Sequence, residues 1–313
     1  MDKPLLACVV SPCGSASPLM TVTKSGPPRV IVGVLAHNEE HRIGACLASL
    51  PLDDPDFEIH VIVNGSRDRT AEIARHAGGG RVNVHDWPEG GKARSWNRFV
   101  FDSGLGPARA WIFVDGDAEV EHGSLAALVR MLADRPQANA AAGMPCNGRL
   151  MEAYRREMMR THGMFGDLYA LRGEFVERMR SGQIRLPDDL IGEDSLVGAL
   201  AKTDLAGESD WQDARVVPCT DAGFLCEPVR LVSPASLTLQ YRRMINYSVR
   251  YFQNKVITSI MRSTGPAGLP RKLSDTYPDW IDGFSPRRNV KWWWFDRLAL
   301  QRMRAASDRA RSP

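Results

Sequence analysis

The chain has 313 residues, of which 43% are hydrophobic and 25% charged, with a formal net charge of +3. These values suit one or two globular folding units with an ample core, and they exclude collagen, coiled-coil, disordered and disulfide-rich classes. No overall nucleic-acid signature is present, but the charge is uneven: residues 240–313 hold fifteen Lys/Arg against five Asp/Glu, while residues 1–239 hold 25 against 32. An acidic body with a basic end bears on where the protein works rather than on how it folds.

Residues 1–28 are rich in Ser, Pro and Gly and read as a tail with little structure. The run Leu5–Val10 within it is too short for a secretory core, and no stretch approaches the roughly 20 apolar residues of a spanning helix. The six cysteines (Cys8, Cys13, Cys46, Cys146, Cys219, Cys226) form no CxxC pair and no zinc-type cluster with histidine. Free thiols and a cytoplasmic location are expected.

From Arg29 the pattern becomes regular. Val30–Leu35 is an apolar, β-branched run of the kind buried on both faces of a sheet. Glu39–Leu50 has helical spacing, Phe57–Val63 reads as a second strand and Asp68–Ala77 as a second helix. A strand over Arg81–Val84, a helix over Lys92–Asp102, a strand over Ala110–Val114, a helix over Ser124–Ala133 and a strand over Ala138–Met144 follow. This alternation predicts an α/β fold with a mostly parallel sheet between helices. Arg149–Gln183 is the least readable stretch, with one helix expected over Met151–Arg160. Beyond Gln240, a helix is expected to dock through Tyr241, Ile245, Phe252 and Val256, with Arg242, Arg250 and Lys255 away from that stripe.

In such sheets ligands gather at the carboxyl ends of the strands. The residues there are Ala36-His37-Asn38-Glu39, Asn64-Gly65-Ser66, Gly90-Gly91-Lys92 and Asp115-Gly116-Asp117. Two carboxylates spaced by one residue after a buried strand can converge on Mg2+ or Mn2+, although Asp-Gly is also turn chemistry. Gly90-Gly91-Lys92 before a helix suits an anion, but no complete P-loop or dinucleotide fingerprint is present. Glu193-Asp194 precedes an apolar helix; acids there serve as caps, and a carboxylate beside an apolar wall can also serve as a base. Trp292-Trp293-Trp294-Phe295, flanked by Lys291 and Arg297, suits packing, glycan stacking or a lipid interface.

Taken in order, Ala36–Glu40, Asn64–Thr70, Gly91-Lys92 with Asn97, Asp115–Asp117 and Glu193-Asp194 resemble the family 2 glycosyltransferases of GT-A fold, over residues 29–232. The resemblance implies a nucleotide-sugar donor, a divalent metal (Mg2+ or Mn2+) and inversion at the anomeric carbon. Ala36, Asn38 and Glu39 would line the nucleoside, Lys92 would face the nucleotide, and Asp115 and Asp117 would hold the metal, Asp115 also reaching the ribose with Gly116 beside it. Asp194 would be the base, with Glu193 beside it. Gln240–Arg243 is similar to part of the QxxRW motif and would bring Arg243 to the diphosphate. Asn64 stands where the family usually has an acid for the nucleobase, so a different contact is expected there; a UDP-sugar is the favoured donor.

With Met244 in place of the motif's tryptophan and no membrane helices following, addition of one sugar is expected, not polymer extrusion. The implied domains are a nucleotide-binding half (29–118), an acceptor half (119–232) and a basic helical end (233–313). The acceptor is expected to be a glycan or lipid-linked hydroxyl, with the basic end at a membrane surface. Competing readings are a sugar-nucleotidyltransferase, which would need a Gly-rich basic loop after the first strand, and a catalytically silent sugar-nucleotide or glycan-binding protein.

Overall fold

A computed structural model describes residues 29–226 and 234–311. The tail assigned to residues 1–28 lies outside the described residues, as do Cys8 and Cys13. Eight strands form one sheet: β1 (Val30–Ala36), β2 (Phe57–Asn64), β3 (Val82–Trp87), β4 (Ala110–Asp115), β5 (Ala118–Val120), β6 (Ala140–Pro145), β7 (Leu168–Arg172) and β8 (Val216–Cys226). Their spatial order is β3-β2-β1-β4-β7-β6-β8-β5. β1, β2, β3 and β4 pair in parallel, as do β6 and β8; β7 runs antiparallel to β4 and β6, and β5 antiparallel to β8. The sheet is mixed and mostly parallel, with its antiparallel pairs at β7 and β5. β7 falls in the stretch whose pattern was unreadable, and β5 is too short to show a period.

Helices cover both faces. They are α1 (Ile43–Ala48), α2 (Thr70–Gly78), α3 (Lys92–Asp102), α4 (Ser124–Asp134), α5 (Met151–Thr161), α6 (Gly173–Ser181), α7 (Glu193–Thr203), α8 (Pro234–Ser263), α9 (Tyr277–Trp280) and α10 (Val290–Arg311). β1 shows why its sequence is apolar throughout: Val30, Val32, Val34 and Ala36 enter the core under α1 and α4, while Ile31 and Leu35 enter the one under α3 and α6. Register sets the site. Leu35 lies beside Asp115, Ala36 beside Val63, and Asn64 beside Trp87, so four strand ends share one rim.

The C-terminal helices are part of the same body. Phe252 and Val256 of α8 are fully buried, as their spacing predicts, whereas Tyr241 is 44% exposed and leaves the expected stripe. α10 is clamped to α8 through Arg287. Its backbone N–H donates to Asp296 Oδ2 at 2.8 Å, its Nη2 to Asp296 Oδ1 at 2.6 Å and to Ser248 Oγ at 3.2 Å. The guanidinium lies between the rings of Tyr251 and Trp292, 4.2 Å from each. A buried carboxylate is tolerable because it is matched in this way. The four described cysteines are free.

Candidate active site

The first two strand-end motifs lock together. Asn64 is buried; its Nδ2 donates to Ala36 O at 2.9 Å, and its Oδ1 accepts from Gly91 N–H at 3.4 Å. Its amide therefore binds three loops to one another, a contact unlike the base-reading acid usual at this position. Asn38 adopts a left-handed backbone (φ 56°), tolerated because its short polar side chain accepts from Arg67 N–H at 2.9 Å while its own N–H donates to Ser66 Oγ. Glu39 N–H donates to Thr70 Oγ1 at 2.8 Å, and Glu40 N–H to Asp68 Oδ2 at 3.1 Å. Asn64–Thr70 is thus more than a turn into α2: it fixes residues 36–40. Gly116 closes the rim. A Cβ there would meet the Ala36 Cβ at 2.8 Å, so only glycine lets the ends of β4 and β1 approach this closely.

Behind that rim lies an acidic cluster. Carboxyl oxygens of Asp115, Asp117 and Asp167 all come within 4.8 Å of one another. Asp167, just before β7, was not identified in the sequence, because the residues before it carry no readable period. Lys92 Nζ sits 2.6 Å from Asp115 Oδ1 and 2.8 Å from Glu193 Oε1. Lys92 thus joins two acids rather than standing free at the rim. Burial opposes its charge, but Asp115 and Glu193 outweigh that and hold the ammonium well above its ordinary value. Burial pushes the Asp115 carboxyl well up despite Lys92, with repulsion from Asp167 and Glu193 adding to it. Burial also raises Asp167, whose Oδ1 accepts the Cys226 thiol proton at 3.0 Å.

The acidic pair enters from α7. Glu193 is 2% exposed and its only charged partner among the described residues is Lys92. Asp194 Oδ2 accepts from Arg250 Nη2 at 3.0 Å, and Arg250 also donates to Ser195 Oγ. Arg250 lies off the apolar stripe of α8, as its spacing predicts, yet reaches the site. It lies two turns beyond Arg243, and that spacing on one helix face is the signal that would have found it. Gly192 makes room: its φ is +82°, and a Cβ would meet the Arg250 side chain at 2.4 to 2.6 Å. α8 clamps the same loop again through Gln253, which donates to Asp189 O at 3.0 Å and accepts from Ile191 N–H at 2.9 Å. The C-terminal region is therefore part of the site's scaffold.

Glu39 closes the acidic side. Burial, then the charge of Asp117, raises its carboxyl from 4.5 to about 7, with Arg42 and Arg243 opposing. In metal-free protein the native state keeps this proton between pH 4.5 and about 7, where the unfolded chain releases it. Stability is expected to fall as pH rises through that window, and Glu39→Gln to make the decline shallower, with Asp115 and Asp167 supplying the rest. Thermal melts across the window check it; parallel curves for the two proteins would contradict it.

These residues fit a divalent cation. Asp115, Asp117 and Asp167 offer only hard oxygen ligands, as Mg2+ and Mn2+ prefer, and their mutual repulsion is met by one ammonium. Lys92 joins this cluster to Glu193, the residue before Asp194.

Known proteins agree with this frame. No curated protein sequence matches the chain. Among solved structures, a mannosyltransferase from Pyrobaculum calidifontis, in complex with GDP-mannose and Mn2+, superimposes with a TM-score of 0.56. It is 21% identical over 92% of this chain and 77% of that one. A mycobacterial protein reaches a TM-score of 0.50 at 18% identity, over 71% of this chain and 74% of its own. These likenesses show the GT-A fold: one mixed sheet between helices. The model of the glycosyl transferase family 2 matches residues 31–190, about half of the chain, including Lys92, Asp115, Asp117 and Asp167. The chain belongs to glycosyl transferase family 2 and is a glycosyltransferase that uses a nucleotide sugar.

Proposed function

We propose that the enzyme moves one sugar from a nucleoside-diphosphate sugar to an acceptor hydroxyl, with inversion at the anomeric carbon. The observation that carries this reading is Lys92, which bridges Asp115 of the acidic cluster at 2.6 Å and Glu193, the neighbour of Asp194, at 2.8 Å. Ala36, Asn38 and Glu39 line the nucleoside, on a rim fixed by Asn64 and given room by Gly116. Asp117, with Asp115 and Asp167, would hold a divalent cation, which would supply positive charge for the diphosphate leaving group. Lys92 and Arg243 add positive charge on the same side.

Asp194 takes the proton of the acceptor hydroxyl while that oxygen attacks C1 from the face opposite the diphosphate. Arg250 fixes the orientation of this carboxylate, and Glu193 holds Lys92. Residues 29–118 supply most of the donor site, joined by Asp167 and Arg243, and residues 119–232 supply the acceptor side, with the basic end bringing the enzyme to a membrane-borne or membrane-proximal acceptor. The sequence favours a UDP-sugar; the GDP-mannose of the Pyrobaculum neighbour puts GDP-sugars in the same screen.

Proton NMR of the glycoside formed on a simple alcohol acceptor tests the reading. An α-linked donor is expected to give a β-linked product; retention of configuration would exclude direct displacement assisted by Asp194.

A further inference from the structure

The starts of α8 and α10 expose side chains that a water-facing helix ordinarily avoids. Val290 is 90% exposed, Trp293 42% and Trp294 54%, and on α8 Leu237 is 56% and Tyr241 44% exposed. The two sets meet, for the Tyr241 and Phe295 rings lie 5.7 Å apart edge to face. On α10 the positions 290, 293, 294, 297, 301 and 304 share one side of the helix, while Ala299, Leu300 and Met303 are buried. Arg297 and Arg304 therefore stand among the exposed apolar residues. Beside Trp293 is a hollow of about 340 Å³ walled by Phe284, Pro286, Leu300 and both arginines, and no acid lines it. The one acid of α10 before Asp308 is Asp296, buried against Arg287.

We infer that this face docks the enzyme on an anionic lipid bilayer. Tryptophans ringed by cations sit well at the boundary of headgroups and acyl chains, and the hollow combines a phosphate's partners with an apolar wall. A symmetric contact with a second copy fits less well, since it would set Lys291, Arg297 and Arg304 against their own like charges. The docking face shares α8 with the site. α8 also carries Arg250, which donates to Asp194 at 3.0 Å. Docking therefore brings the helix that holds Asp194 to the lipid surface and favours acceptors carried there. This inference deepens the transferase reading and rests on it for the acceptor, but not for the docking.

The test is cosedimentation of the full chain with phosphatidylcholine vesicles, with and without phosphatidylglycerol. Binding is expected only with the anionic lipid and should weaken with salt. Trp293→Ser with Trp294→Ser should weaken it at least tenfold, and Arg297→Glu with Arg304→Glu should abolish it. Both side chains of the tryptophan pair are already half in water, so folding should survive, as circular dichroism would verify. Absence of vesicle binding, binding unchanged by the tryptophan pair, or a dimer in light scattering that the pair dissolves would each overturn the inference. Donor hydrolysis without vesicles separates the two readings. Turnover without vesicle binding sinks the docking alone, and vesicle binding without turnover of any donor sinks the transferase chemistry alone.

Discussion

Asp194→Asn is expected to lower turnover by at least about a hundredfold, the usual consequence of losing a general base, while donor affinity stays near that of the wild type. Asparagine keeps the shape and an oxygen for Arg250, which now donates to Asp194 Oδ2 at 3.0 Å. Arg250 is 30% exposed, so losing the charge of its partner leaves it hydrated and the fold intact. The loss should therefore fall on kcat and not on KM. Steady-state kinetics alongside calorimetric titration of the donor measure both. Wild-type turnover in the variant would remove Asp194 from the role.

Asp117→Ala is expected to abolish the Mn2+-dependent part of donor binding, a loss of at least about a hundredfold, since removal of even an outer partner of a metal ligand costs 10- to 100-fold. Asp117 belongs to the three-carboxylate group with Asp115 and Asp167, and its charge also helps raise Glu39 to about 7. The variant should therefore show a second effect, a lower Glu39 pKa, seen as a shift in the pH dependence of stability in metal-free protein. Calorimetry with Mn2+ and with a chelator provides the first readout. Equal donor affinity in both conditions, in wild type and variant alike, would contradict the assignment.

Much of this arrangement could be read from residue order. α3 spans Lys92–Asp102 as its pattern predicts, and β1, β2 and β4 follow from short apolar runs, because strands covered on both faces leave an unbroken signal; β3 (Val82–Trp87) carries Asn83, His85 and Asp86 and runs beyond the Val84 end expected for it. Three of the strand-end motifs follow such runs, while Gly90-Gly91-Lys92 stands out by leading into the helix α3. What escaped depends on long-range contacts. Asp167 precedes an antiparallel strand in a stretch without period, and only the sheet brings it to Asp115 and Asp117. Arg250 was judged by its place off an apolar stripe, which says nothing of a partner 56 residues away. Asn64 looked like a departure from a base-reading acid; its role in tying Ala36 to Gly91 is visible only in three dimensions. Lys92 was sited correctly on its helix, but its two acidic partners come from β4 and α7.

The most direct trial of the central claim is release of nucleoside diphosphate from a panel of UDP-, GDP- and dTDP-sugars, with Mn2+ and with chelator, by wild type and by Asp117→Ala. One class of donor should be cleaved by the wild type only when the metal is present, and by the variant not at all. Cleavage that persists with chelator and without the Asp117 carboxylate, or no cleavage of any donor by the wild type, would contradict it.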